Sequence, residues 1–126
     1  MQTKIISTEN APAAIGTYSQ AVQAGNTLYI SGQIAINPTT GEMQNGIDAQ
    51  IEQVFTNLQN ICLAAGATLN NIVKVNVFLT DLANFGKVNA AMEKFFQKPY
   101  PARAAVQVSK LPKDALVEAD AIAVVD

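Results

Sequence analysis

Apolar residues at 51, 54, 55, 58, 61, 62 and 65 recur at three- and four-residue intervals, and this single stripe predicts a helix over 48–65. Asp48 stands where a cap is expected and Gly66 where a helix stops. The period then changes to two. Val73, Val75, Val77 and Leu79 alternate with Ile72, Lys74, Asn76 and Phe78, which is the pattern of a strand over 72–79. A second helical stripe (Phe85, Val88, Met92, Phe95 and Phe96) predicts a helix over 84–97, stopped by Pro99 and Pro101. Strands over 19–24 and 27–34 are parted by Gly25-Asn26, a pair that tolerates the positive φ of a tight hairpin. Two last strands cover 103–108 and 116–125. Residues 10–17 read as an ordered loop punctuated by Pro12 and Gly16, and Asn37-Pro-Thr-Thr-Gly-Glu reads as a turn.

The order is β-β-α-β-α-β-β, an α+β chain whose crossovers place two helices on one face of a mixed sheet. Two helices cover only that face. The strands are nonetheless apolar on both sides: Ile72 and Phe78 oppose the valines, and Ile122 and Val124 oppose Ala121 and Ala123. The second face therefore predicts an oligomer that buries it, with sites between protomers.

Composition narrows the chemistry. At 126 residues, 49% hydrophobic and 14% charged, the chain is expected to form one domain spanning 1–126. There is no His and one Cys, which excludes Ser-His-Asp and Cys-His catalysis, His-ligated zinc, four-thiolate sites and an intrachain disulfide. No metal and no cofactor are expected. Catalysis is left to carboxylates, Lys, Tyr, Ser or the single Arg. A net charge of −2, with seven scattered lysines, argues against a nucleic-acid partner. The first seven residues lack signal or transit character, and no apolar run approaches the ~20 residues needed to cross a bilayer. A cytoplasmic protein without a membrane partner is expected.

Arg103, the only arginine, opens a strand within an otherwise apolar stretch. Its planar fork suits a carboxylate ligand, although a structural ion pair fits equally. Glu118 and Asp120 share one strand face, either as charges that deter edge aggregation or as a carboxylate able to activate water. Asn89 falls among the inward positions of the second helix, where a satisfied structural amide is the commoner outcome. Tyr18 follows the Gly16-Thr17 turn and either walls a pocket or packs. In Ser31-Gly32-Gln33, Gly32 permits close approach of a ligand to the backbone, or a bulge. Cys62 belongs to an apolar helical stripe and reads as core.

Several segments taken together resemble the RidA (reactive intermediate deaminase A, YjgF) family over nearly the whole chain. They are Asn10-Ala-Pro-Ala-Ala-Ile-Gly-Thr-Tyr-Ser-Gln-Ala, Ser31-Gly-Gln-Ile, Val77-Phe-Leu-Thr-Asp-Leu, Phe85-Gly-Lys-Val-Asn-Ala, Pro101-Ala-Arg-Ala-Ala-Val, and the run from Lys110 to Val124. The resemblance implies a chorismate-mutase-like fold and a homotrimer with active sites between subunits. It also implies cofactor-free hydrolysis of 2-iminopropanoate and 2-iminobutanoate to 2-oxo acids and ammonia, as control of metabolite damage. It assigns Arg103 to the substrate carboxylate and Glu118 to the attacking water. Tyr18, Ser31, Gly32 and Asn89 would line the site, and Ala105 would act through its backbone carbonyl. The chain departs from the family pattern at Thr17, at Ala104-Ala105 in place of Ser-Cys, and at Asp120 in place of Glu. The absent thiol removes any redox switching at 105. Two other roles attach to the family: a non-enzymatic trimer that binds 2-oxo acids or acts as a chaperone, and an endoribonuclease, which the missing basic groove disfavours.

Overall fold

The computed structural model describes residues 3–125. Six strands, β1 (Thr3–Ile6), β2 (Ala21–Ala24), β3 (Thr27–Gln33), β4 (Ile72–Leu79), β5 (Ala102–Gln107) and β6 (Val117–Val124), form one sheet. Its order is β1-β2-β3-β6-β4-β5, in which only β4 and β5 run parallel. Helix α1 (Ile47–Ala64) links β3 to β4, and α2 (Phe85–Phe95) makes the crossover between β4 and β5.

The two-helix, mixed-sheet architecture is the one the pattern predicts, with an added strand at the start. Residues 3–6 pair antiparallel with β2 and extend one edge of the sheet. Four residues are too few to display a period, and of Ile5 and Ile6 only Ile6 is buried, so β1 depends on β2 as its template.

One face of the sheet carries the core. Leu28 and Ile30 of β3, Val75, Val77 and Leu79 of β4, and Val117, Ala119, Ala121 and Ala123 of β6 are all buried there. Val54, Phe55, Leu58, Ile61 and Cys62 of α1 and Val88 and Met92 of α2 complete the same cluster. Four small or short side chains on β6 let α1 lie close over the sheet. Phe55 packs against a tilted Phe95 ring and an edge-to-face Phe96 ring, each at 5.7 Å between ring centroids.

Two details of the pattern are corrected. Asp48 caps nothing: α1 starts after Gly46, whose φ of 85° no side chain completes, and Asp48 in the first turn pairs with Lys87 at 3.3 Å. Gly66 does terminate the helix, at φ 77°. Val73 is exposed, because the β4–β6 register shifts between Ile72 and Lys74 and gives Ile72 the buried place.

Burial pushes the Cys62 thiol up to about 12. At pH 8 the sulfur is thus a protonated thiol with no route to reagent. Iodoacetamide is expected to label Cys62 only in denaturant, and mass spectrometry of native and unfolded samples checks this.

Candidate functional site

Two concave regions gather the residues that the sequence singles out, one at each end of the charge inventory. Arg103 is in register with buried Val75, so its side chain projects on the helix-covered face. Because β5 is an edge strand, the guanidinium meets α2 there. Phe85, Asn89 and Met92 follow one another at four- and three-residue steps and share one side of that helix. Arg103 Nη1 donates to Asn89 Oδ1 at 2.5 Å and lies 3.6 Å from Met92 Sδ, and its Cζ sits 4.7 Å from the centre of the Phe85 ring. The Phe85 ring faces the cation in an attractive geometry. Among the described residues, no carboxylate comes within ion-pairing distance of Arg103. The guanidinium is thus aimed by neutral groups, and its charge is left for a ligand. Tyr100, Pro101 and Glu93 join Asn89, Met92 and Arg103 around a cleft of about 420 Å³.

Glu118 belongs to the other region. It is in register with Phe78, on the face of the sheet that no helix covers. Its neighbour β3 carries a bulge: Ile30 faces Ala121 and Gln33 faces Ala119, so three residues on β3 span what two span on β6. Gly32 lies inside that bulge, and the Glu118 side chain occupies the space where a Gly32 side chain would be. A Cβ there would meet Glu118 Cδ at 3.0 Å and its carboxylate oxygen closer still. The role of Gly32 is therefore to seat the glutamate within the bulge, and the group that approaches its backbone is a side chain of the same chain. Burial first, and the Asp120 charge second, hold the Glu118 carboxyl above the usual carboxylate range.

Ser31 and Tyr18 line the same cleft of about 750 Å³ as Gly32 and Glu118. The Ser31 hydroxyl donates to the Ser19 carbonyl at 2.6 Å, fixing the segment that carries Tyr18. Gly16, at φ 118°, turns that segment so that the half-exposed Tyr18 ring faces the opening. Lys113 also reaches this wall, on a backbone held at φ 55° in both Lys113 and Asp114. Two consecutive left-handed non-glycine residues cost about 1–3 kcal/mol each, so the surrounding chain must impose them.

The walls are tied by buried amides, which the hydrophobic pattern does not reveal. Gln20 accepts from Thr8 N–H at 2.7 Å and donates to the Pro12 carbonyl at 2.8 Å, drawing the loop before Tyr18 inward. Asn57, fully buried on α1, donates to the Ile34 and Ile36 carbonyls at 3.3 and 3.1 Å. Gln50 accepts from Leu116 N–H at 2.8 Å and donates to the Gln44 carbonyl at 3.0 Å. Asn57→Leu leaves two carbonyls without their donor and is expected to cost roughly 1–3 kcal/mol, measured as a lower denaturant midpoint in urea melts.

Of the sequence candidates, Arg103 and Asn89 come together, and Tyr18, Ser31, Gly32 and Glu118 come together. The two groups do not meet within one chain. Arg103 and Glu118 project from opposite faces of the sheet, with β4 between their strands. Ala105, in register with Val77, packs its methyl against the core and lines neither cleft. Phe85, Met92, Tyr100 and Lys113 are additions. Phe85 and Met92 read as core in the helical stripe, and only the register of β5 reveals that they also hold Arg103.

Comparison with known proteins places the chain in a family. Residues 8–125 match the family described as Endoribonuclease L-PSP. The chain is 49% identical over 122 residues to a 2-iminobutanoate/2-iminopropanoate deaminase of Mus musculus, covering 96% of this chain and 90% of that one. It is 51% identical over 121 residues to a RutC family protein of Pyrococcus horikoshii, covering 95% and 96% of the two. The crystal structure of RidA from an Antarctic Psychrobacter superposes with a TM-score of 0.95 at 53% identity, covering 97% of this chain and 99% of that one. Escherichia coli TdcF with bound serine superposes at 0.94 and 43% identity, covering 98% and 99%. The chain belongs to the RidA family.

Proposed function

We propose that this protein is a cytoplasmic, cofactor-free deaminase that hydrolyses 2-iminopropanoate and 2-iminobutanoate to 2-oxo acids and ammonia, in a homotrimer whose sites two chains complete. The observation that carries this reading is the pairing of an aimed arginine lacking a carboxylate partner among the described residues with a half-buried glutamate on the opposite face. A small imino acid needs both groups, so a second copy must bring one of them. The uncovered face, with Phe78, Ile122 and the exposed Tyr29 and Val124, is the surface that the copy covers. Deaminases among the relatives, at 48–49% identity, support the substrate class.

The chemistry asks little of the protein. A protonated imine is electrophilic as it stands. Arg103 takes the substrate carboxylate through two parallel N–H bonds, with Asn89 fixing the plane of its fork. Tyr18 and Ser31 border the substrate. That water adds to the C=N carbon as Glu118 removes one of its protons, giving a neutral carbinolamine and a protonated glutamate. Glu118 returns the proton to nitrogen, the C–N bond breaks with its electrons leaving on ammonia, and the hydroxyl proton passes to the Glu118 carboxylate as the C=O bond forms, to be carried off by the ammonia as ammonium. Orientation supplies most of the acceleration.

Shared sites have a direct test. Arg103→Ala and Glu118→Gln proteins are each expected to be inactive toward iminopropanoate generated in a coupled assay. Co-refolded at equal amounts, they should regain about one quarter of wild-type activity, since random mixing makes that share of interfaces intact. No recovery, with hybrid oligomers present by native mass spectrometry, sinks the shared site. Retained 2-oxobutanoate binding without turnover in the wild type points instead to a binding module.

A further inference from the structure

Glu118 is not the only carboxylate on the open face. Asp120 lies two residues further along β6, so its side chain leaves the sheet on the same side. It is half-buried and it is clamped: Asn76, in register with it on β4, donates from Nδ2 to Asp120 Oδ1 at 2.8 Å. A neutral amide orients this carboxylate without cancelling its charge.

The surroundings do not cancel it either. From β4, Lys74 shares the open face, and it makes no ion pair with Asp120 or Glu118. From β3, the titratable group on that face is Tyr29, and Ser31 and Gly32 add none. From the loops packed on Glu118, Tyr18 and Lys113 reach the same cleft, and neither pairs with the glutamate. The cost of ionising Glu118 therefore falls to burial and to its neighbour on the strand.

We propose that Asp120, held in place by Asn76, is a positioning residue whose fixed negative charge acts through Glu118 and sets the pH at which hydrolysis becomes active. This rests on the role given to Glu118 above and adds to it a partner that touches neither substrate nor water. A base that must also hand its proton to the departing nitrogen works best when its affinity for that proton is brought toward neutrality. Burial alone raises that affinity by an amount the cleft cannot adjust. A second charge at a fixed separation adds a defined increment. The shift in Glu118 has this second cause.

Sign follows from charge. With Asp120 present, Glu118 loses its proton at higher pH, and activity falls on the acid side as Glu118 becomes protonated. Asp120→Asn removes the charge and keeps an oxygen that Asn76 can reach. The acid limb of kcat/KM should then move to lower pH, so that well down that limb activity relative to the plateau rises about threefold. Asp120→Glu keeps the charge and should keep the wild-type limb. The pH profiles of wild type, D120N and D120E in the coupled assay, beside a carboxyl-carbon NMR titration of Glu118 in each, decide the matter.

An unmoved limb in an active, folded D120N protein, with an unmoved Glu118 titration, overturns the proposal. A wild type with no turnover overturns the deaminase reading instead. In that case the NMR titration alone tests the coupling: an Asp120-dependent displacement upholds it, and coincident curves reject it. If D120N has an altered fold, D120E against Asn76→Leu replaces it, since loss of the clamp should move the limb in the same direction as loss of the charge. Coincident limbs there overturn the proposal as well.

Discussion

Arg103→Ala is expected to lower kcat/KM for iminopropanoate by roughly 10²–10⁴-fold while leaving the secondary structure and thermal midpoint near wild type. The magnitude follows from two charge-assisted hydrogen bonds to the substrate carboxylate, at about 1.5–3 kcal/mol each. The loss should appear chiefly in binding, as a raised KM, because the carboxylate is present in the ground state and the transition state alike. Stability is spared because the side chain is only half-buried and ends in a cleft. Arg103→Lys should recover a small part at most, since an ammonium cannot reproduce the fork, two parallel donors in one plane. Wild-type kinetics in the alanine variant would remove Arg103 from the site.

Gly32→Ala is the second large effect, and it is expected in turnover more than in binding. The added methyl takes the place of the Glu118 carboxyl group, and that group is the end of a flexible side chain. The chain therefore survives while the base swings away. Losing a positioned general base typically costs 10²–10⁴-fold, so kcat should fall by at least about 10²-fold while binding of 2-oxobutanoate at Arg103 changes little. Glu118→Gln should match this loss without changing the backbone. An active Gly32→Ala protein would show that Glu118 does not need its seat.

The legible parts of the fold were those with long periods. The stripe from Ile51 to Ala65 forms α1 because eighteen residues repeat one face often enough to be unambiguous. The alternation in β4 and β6 was equally plain, since each strand has eight residues with one face buried. β1 was not legible, because four residues borrow their structure from β2. The alternation puts Val73 on the wrong face because a register shift changes which residue faces inward without leaving a mark in the composition of the strand.

The site divides in the same way. Arg103 and Glu118 stood out as charges in apolar runs, and both line clefts. Which side of the sheet each faces is a matter of pairing register, and one strand read alone does not contain it. Gly32 was legible as a close approach, but not the partner that approaches: the contact lies between residues 86 positions apart, Gly32 and Glu118. Asn76 and Asp120 meet only because β4 and β6 pair where they do.

The loops around the larger cleft are moored by Gln20, Gln50, Asn57 and Ser31, which carry no charge at any pH the protein meets. The three ion pairs among the described residues all join exposed side chains. Two of the pairs, Lys87–Asp48 and Lys94–Glu52, join α2 to α1, so salt and acid can loosen that surface without removing the amide bonds that hold the loops. A titration of turnover in this protein records the chemistry of its carboxylates against a frame that holds still.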